Sequence, residues 1–302
     1  MLANNLFEKI GFSDDMIEVY NSYSPIIGND CERLAKAYMR ENKPFKDALA
    51  EAKMLAPEVN ENIVNLLFIL ECTGYTYEDY KARNISDDIF YHSMEDITFK
   101  VRECKKIKGV YGTFVPTWYQ SFFKCERFAF GRLQYDYYWF HSKESINING
   151  FQINEGDKTL YCHIPSSGPL LYKDVIDSLR QARDFFTDRV RDGVLFVECF
   201  SWLLFPEYRH IFKTCSENID SFIDNFYIYG SYDYEKFTDC WRIFNVDIDE
   251  CVVDQLPEDT RLQKGFKKYL QENSIFGDGQ GILLFDGEKI LTRKKSIKHK
   301  KG

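Results

Sequence analysis

One acidic residue interrupts an apolar run. In "GVLFVECFSWLL", residues 193–204, Glu198 stands between Val197 and Cys199, flanked by Phe196 and Phe200. A carboxylate in such surroundings keeps its proton to higher pH than an exposed one unless a partner compensates, and that suits a general base. A second candidate closes "TLYCHIP", residues 159–165. There Leu160, Cys162 and Ile164 share one side of a strand, so Tyr161 and His163 share the other. "SSGPLL", Ser166 to Leu171, follows directly, and then a helical pattern starts. A strand, a loop of small residues and a helix start make a junction where backbone N–H groups can hold a phosphate. The donors would be Ser166, Ser167, Gly168, Leu170 and Leu171, with two hydroxyls; Pro169 has no N–H but suits a first helical turn. Each feature has a plainer alternative: a satisfied histidine at a strand end, a paired carboxylate, an ordinary loop before an ordinary helix.

The chain has to build elements that bring these groups together, and its composition allows that. Its 302 residues fit two domains, and 44% hydrophobic and 17% aromatic residues, with 20 Tyr and 26 Phe, supply core for both. No apolar stretch approaches the roughly 18 residues that span a bilayer. "MLANNLFEKIGFSDD" lacks the charged-then-apolar layout of a secretory signal. A net charge of −8 argues against nucleic acid, which asks for a clustered basic face. The nine Cys have no C-x-x-C spacing and the five His no H-x-x-x-H, so reduced thiols and no metal are expected. A cytoplasmic protein without membrane or nucleic-acid partners is the expectation.

Residues 1–124 read as a helical domain. "FSDDMIEVYNSY", "NDCERLAKAYMRE" and "ISDDIFYHSMEDITFKVREC" each open on Ser, Asp or Asn caps. "VNENIVNLLFILECTGY" puts its apolar residues on one helical face, with Gly74 as a stop. The period changes to two after Cys125. "FAFGRLQYDYYWF" alternates as one strand, "SINING" and "KTLYCHI" follow across turns, and the three make an antiparallel meander. An amphipathic helix begins at Tyr172, and "GVLFVECFSWLL" then reads as a parallel strand buried on both faces. A helix over "ENIDSFIDNFY", strands near "YIYGS" and "CWRIFNV", a helix over "DTRLQKGFKKYLQEN" and a last strand "GQGILLFD" complete a second domain, 125–290. Residues 291–302 form a basic tail, expected to be disordered.

One helical crossover within an otherwise antiparallel sheet is the order of the GNAT acyltransferase fold. Trp118, "GRLQYD" at Gly131–Asp136, "CHIPSSGPL" at Cys162–Leu170, "SWLL" at Ser201–Leu204 and "SENIDSF" at Ser216–Phe222 sharpen the likeness. With these motifs in this order, from Ile85 to the last strand, the chain resembles a bacterial family of acyltransferases. Its members join a helical N-terminal domain to a GNAT-like C-terminal domain, which implies an α+β fold with a mixed sheet.

The resemblance implies an acyl group moved from acetyl-CoA or another acyl-CoA to a small amine or alcohol. The pantetheine arm would lie where two parallel strands splay, and the pyrophosphate would sit over Ser166–Leu171. Glu198, with His163 near, would take the acceptor's proton. A Tyr just past the helix after the second parallel strand would be the acid, which points to Tyr227, with Tyr229 beside it. Arg132 and Gln134, on the polar side of the first strand, would face the acceptor or solvent. The family's phosphate loop runs Gln or Arg, two residues, Gly, any residue, then Gly or Ala; here only Gly168 matches, with Pro165 and Leu170 at the other fixed positions. Many relatives also carry a His where Phe200 stands. These departures keep open a non-catalytic GNAT-like protein that senses CoA or another nucleotide.

Overall fold

The computed structural model describes residues 5–294, so most of the expected basic tail lies outside the described residues. The described chain forms two compact units. One runs to Phe130 and includes Pro165–Ser167; the other holds Gly131–Ile164 and the chain from Gly168 onward.

The first unit is helical: α1 (Leu6–Lys9), α2 (Asp14–Arg40), α3 (Phe45–Leu55), α4 (Glu61–Ala82), α5 (Asp87–Lys108) and α6 (Gln120–Phe123), ending in a short strand β1 (Arg127–Phe130). Two expected helices are one. α2 runs unbroken past Asn29 and through Pro25, because Met16, Ile27, Cys31, Leu34 and Ala35 are buried along it. An internal Pro costs roughly 3 kcal/mol, and burial of such side chains at ~1.5–3 kcal/mol each for the larger ones outweighs it. Gly74 likewise does not end α4. Every residue from Ile63 to Thr73 is buried, so this helix is a core element on all sides rather than an amphipathic one. Its start matches the cap chemistry, the Asn60 side chain accepting from the Asn62 N–H, and Ser86 does the same for Ile89 at the head of α5.

The second unit contains β2 (Leu133–Trp139), β3 (Ile146–Ile148), β4 (Phe151–Ile153), β5 (Lys158–His163), α7 (Tyr172–Phe185), β6 (Val190–Arg191), β7 (Val194–Ser201), α8 (Arg209–Cys215), α9 (Glu217–Ile223), β8 (Tyr227–Tyr234), α10 (Cys240–Phe244), α11 (Arg261–Glu272) and β9 (Phe276–Phe285). Its sheet runs β2-β5-β7-β9-β8. Within this sheet, β5 and β7 are parallel, joined through α7, while β2·β5, β7·β9 and β8·β9 are antiparallel. The α+β class with a mixed sheet therefore agrees with the sequence reading.

Three elements differ from it. "FAFGRLQYDYYWF" is two strands, broken at Gly131 with φ of 57°. The expected meander is absent, because β2 pairs directly with β5 and β3 pairs with β4 as a separate hairpin. Asn149 and Gly150, at φ 53° and 87°, make the left-handed two-residue turn that favours this hairpin. Its Ile148 and Ile153 then bury against Phe140, Val194, Phe196, Ile282 and Leu284, with Phe151 packed alongside. "CWRIFNV" is the helix α10, since Cys240, Ile243 and Phe244 are buried at helical spacing and Arg242 pairs with Asp239 three residues back.

Candidate active site

The parallel pairing of β5 and β7 is very short. It comprises Leu160↔Val197 and Tyr161↔Glu198. Past that point β5 stays with β2, where Gln134 faces His163, and β7 stays with β9 as far as Ser201↔Gly279. The two parallel strands thus part in a fork, with Glu198 at its base. Across the gap the Tyr161 hydroxyl donates to the Phe200 carbonyl at 3.1 Å, replacing a backbone bond the fork removes.

Strand alternation sets the two faces of the fork. Thr159, Tyr161 and His163 share a face with Phe196, Glu198 and Phe200, while Leu160, Cys162, Val197 and Cys199 turn to the other. Glu198 is 1% exposed. It accepts hydrogen bonds from the Thr159 hydroxyl at 2.6 Å and the Tyr229 hydroxyl at 2.7 Å. Burial holds its carboxyl above the usual carboxylate range, and these two hydroxyls pull the other way. The Tyr229 phenol is pushed up too, first by burial and then by the adjacent carboxylate, so it stays protonated and donates. Tyr229 also packs on Phe140, ring centroids 5.5 Å apart, in the cluster that the β3–β4 hairpin covers.

His163 lies on the same face, two residues beyond Tyr161. Its Nε2 is 3.0 Å from Asp136 Oδ2, and its ring is 4.8 Å from that of Tyr161. Tyr227, at the start of β8, is 46% exposed opposite Ile282, and the Glu198 network takes Tyr229 instead. β8 has a register irregularity between Ile228 and Gly230, at Tyr229. Thr159 and Tyr229 are the site partners that sequence reasoning did not single out as such. Register would have revealed Thr159, two residues before Tyr161 on the same face; a bulge position leaves no sequence pattern.

The loop ahead of α7 is open to solvent at Ser166, Ser167, Gly168 and Leu171, whereas Leu170 is buried. Gly168 has φ of 125°, a backbone region other residues rarely enter. No side chain caps α7, whose first turn begins at Tyr172. Arg132 supports the loop from below: its Nη2 donates to the Gly168 carbonyl at 2.7 Å and its Nε to the Pro169 carbonyl at 3.0 Å. Burial lowers its guanidinium to about 10. Arg132 is therefore a brace for the loop, and Gln134, 1% exposed, is a core residue rather than a solvated one. Among the described residues, no group of three or more His, Cys, Asp or Glu could hold a metal ion, and no helix is long and apolar enough to cross a membrane.

A mixed sheet with one crossover helix and a fork between its parallel strands defines a GNAT-type domain. Residues 128–283 match the family model for the GNAT-like C-terminal domain, and residues 1–125 that for the N-acyltransferase N-terminal domain. The first match spans more than half of the chain, so the protein belongs to the GNAT-like C-terminal domain family. No curated protein matches by sequence. Among solved structures, an acyltransferase mutant in complex with octanoyl-CoA is similar at TM-score 0.69 and 15% identity, over 93% of this chain and 86% of that one. An acyltransferase in complex with decanoyl-CoA gives 0.66 at 18%, and one with CoA and 10C-teicoplanin gives 0.67 at 16%, each with the same coverage. At these identities the likeness is one of fold.

Proposed function

We propose that the protein is an acyltransferase that moves an acyl group from acyl-CoA to a small amine or alcohol. The observation that carries this is the fork: β5 and β7 part immediately after Tyr161↔Glu198, leaving a slot between strands with a buried carboxylate at its base. Membership in the GNAT-like family supports the same reaction class, and the similar folds crystallised with octanoyl-CoA, decanoyl-CoA and CoA support the donor. Similar structures that hold teicoplanin and 10C-teicoplanin favour a small-molecule acceptor. A cytoplasmic setting suits nine free thiols.

In this mechanism the pantetheine arm enters the fork and the pyrophosphate meets Ser166, Ser167 and the backbone N–H groups of Gly168, Leu170 and Leu171. The acceptor nitrogen attacks the thioester carbonyl, a C–N bond forms, and the C–S bond breaks. The proton leaving nitrogen passes to Glu198, whose raised affinity for protons fits the task. Tyr229, already donating to Glu198, returns a proton to the departing thiolate and recovers one from the carboxyl. His163, held by Asp136, flanks the acceptor. Tyr227, outside this hydrogen-bond network, lies on the exposed approach.

Acetyl-CoA and octanoyl-CoA, offered with a panel of small amines and alcohols while thiol release is followed, test the reaction. Turnover that depends on both substrates is expected. Binding of CoA without turnover against any acceptor class would instead favour a sensor.

A further inference from the structure

The loop that meets the phosphates in this mechanism carries no cation: Pro165 to Leu171 holds no Lys, Arg or His. A cation is nonetheless held nearby by a different segment. After β9 the chain turns back, and residues 292–294 are pinned to α9 and to the turn that follows it. Thr292 Oγ1 donates to the Asn225 carbonyl at 2.7 Å, and the Lys294 N–H donates to the Asp224 carbonyl at 2.9 Å. Between them Arg293 lays its guanidinium 4.3 Å from the ring centroid of Tyr172, the first residue of α7. Tyr172 follows directly on the loop residues 168–171, so the guanidinium stands at the end of that loop.

Arg293 is fixed in place by neutral acceptors. Its Nη1 donates to the Ser221 carbonyl at 3.0 Å and to Asn225 Oδ1, and its Nη2 donates to Ser221 Oγ at 2.9 Å. A guanidinium has five N–H donors, so the Nε–H and one Nη2–H remain. Among the described residues no carboxylate pairs with it, although it is only partly exposed. The neighbouring Asp224 and Asp220 are both engaged by Arg209. Asn225, 1% exposed, adds a second unspent donor, since its Nδ2 has no hydrogen-bond partner. Half-buried positive charge and buried donors together, with no acceptor of opposite sign, are what an anion would complete.

We propose that Arg293 is a phosphate-binding residue of the acyl-CoA site, supplying from the C-terminal segment the cation that the loop lacks. It presents two parallel donors to a phosphate oxygen pair while Tyr172 supports its opposite plane. This rests on the acyl-CoA reading above and adds a residue to that site. Ligands with and without phosphate separate the two. Calorimetric titration of the purified protein with acetyl-CoA and with S-acetyl-pantetheine, which shares the thioester arm but carries no phosphate, is the experiment. Wild type binding acetyl-CoA, with Arg293→Gln binding it about tenfold more weakly and S-acetyl-pantetheine equally well, is the expected result. Wild-type failure to bind acetyl-CoA would overturn the acyl-CoA reading itself. Equal acetyl-CoA affinity in wild type and variant, or a parallel loss for both ligands, would overturn the role of Arg293 alone. If Arg293→Gln does not fold, Arg293→Lys, which keeps the charge and loses the paired donors, should weaken acetyl-CoA binding several-fold and leave S-acetyl-pantetheine unchanged; no change for acetyl-CoA overturns the role as well.

Discussion

Two carboxylates are buried in the sheet unit to nearly the same extent, Glu198 at 1% exposed and Asp239 at 3%, and they are held in opposite ways. Asp239 has a cation, Arg242, at 2.6 Å, yet its carboxyl is pushed up to about 6 by burial, with Asp278 adding to the rise. Glu198 is bonded by two hydroxyls, from Thr159 and Tyr229. A hydroxyl can donate a hydrogen bond and also pass a proton on, whereas a guanidinium donates hydrogen bonds but does not give up its proton. Asp239 is thus placed to fasten the head of α10, whereas the partners of Glu198, at the base of the strand fork, fit the proposed role of proton acceptor. Burial alone does not distinguish the two carboxylates; the chemistry of their partners does.

Replacing each carboxylate by its amide breaks the comparison most strongly. Glu198→Gln should keep acyl-CoA affinity and lose roughly 10²–10⁴ in kcat, while Asp239→Asn should leave kcat per folded molecule unchanged. Equal loss in both variants would put catalysis elsewhere. The next largest effect is on stability. An acid whose folded pKa is raised stabilises the fold fully below its unfolded value and loses that contribution as pH rises to the folded one. From an ordinary 3.8 to about 6, Asp239 should therefore cost wild type about 3 kcal/mol relative to low pH. Chemical denaturation across that window should show the falling slope in wild type and a shallower one in Asp239→Asn. Tyr229→Phe, which removes the hydroxyl that donates to Glu198, should lower kcat by about 10–100-fold with little change in acyl-CoA affinity. Gly168→Val touches neither carboxylate. It should weaken acyl-CoA binding about tenfold through its backbone and leave the pH dependence of stability as in wild type.

Local chemistry made much of this legible. The Ser86 cap of α5, the capping box that links Thr260 and Gln263 at the head of α11, and the apolar run of β7 all stand where sequence rules put them. Glu198 stands out because a charge in such a run needs a partner or a task. What tertiary burial decides was harder to read. The Asn29 cap and Gly74 look like helix boundaries, but α2 and α4 pass through them because their side chains are buried in the helical unit. Asn149-Gly150 carries a hairpin signal, and this tight turn pairs β3 with β4 and keeps both out of the meander expected with β2 and β5. The partners of Glu198 depend on which strands lie side by side and on the irregular register of β8, which no local pattern encodes. Arg293 is the extreme case: it stands beside Tyr172 in space and 121 positions after it in the chain, at the margin of a tail that reads as featureless.

The central claim is that Glu198 accepts the acceptor's proton at the fork. Wild type and Glu198→Gln, each saturated with acyl-CoA, can be mixed rapidly with an amine acceptor while thiol release is followed across pH. The wild-type rate should rise through an ionisation above the ordinary carboxylate range, as the direction of the Glu198 shift requires, and the variant should be slow and lack that step. A Glu198→Gln enzyme that releases thiol at the wild-type rate, with the same pH profile, would contradict the account.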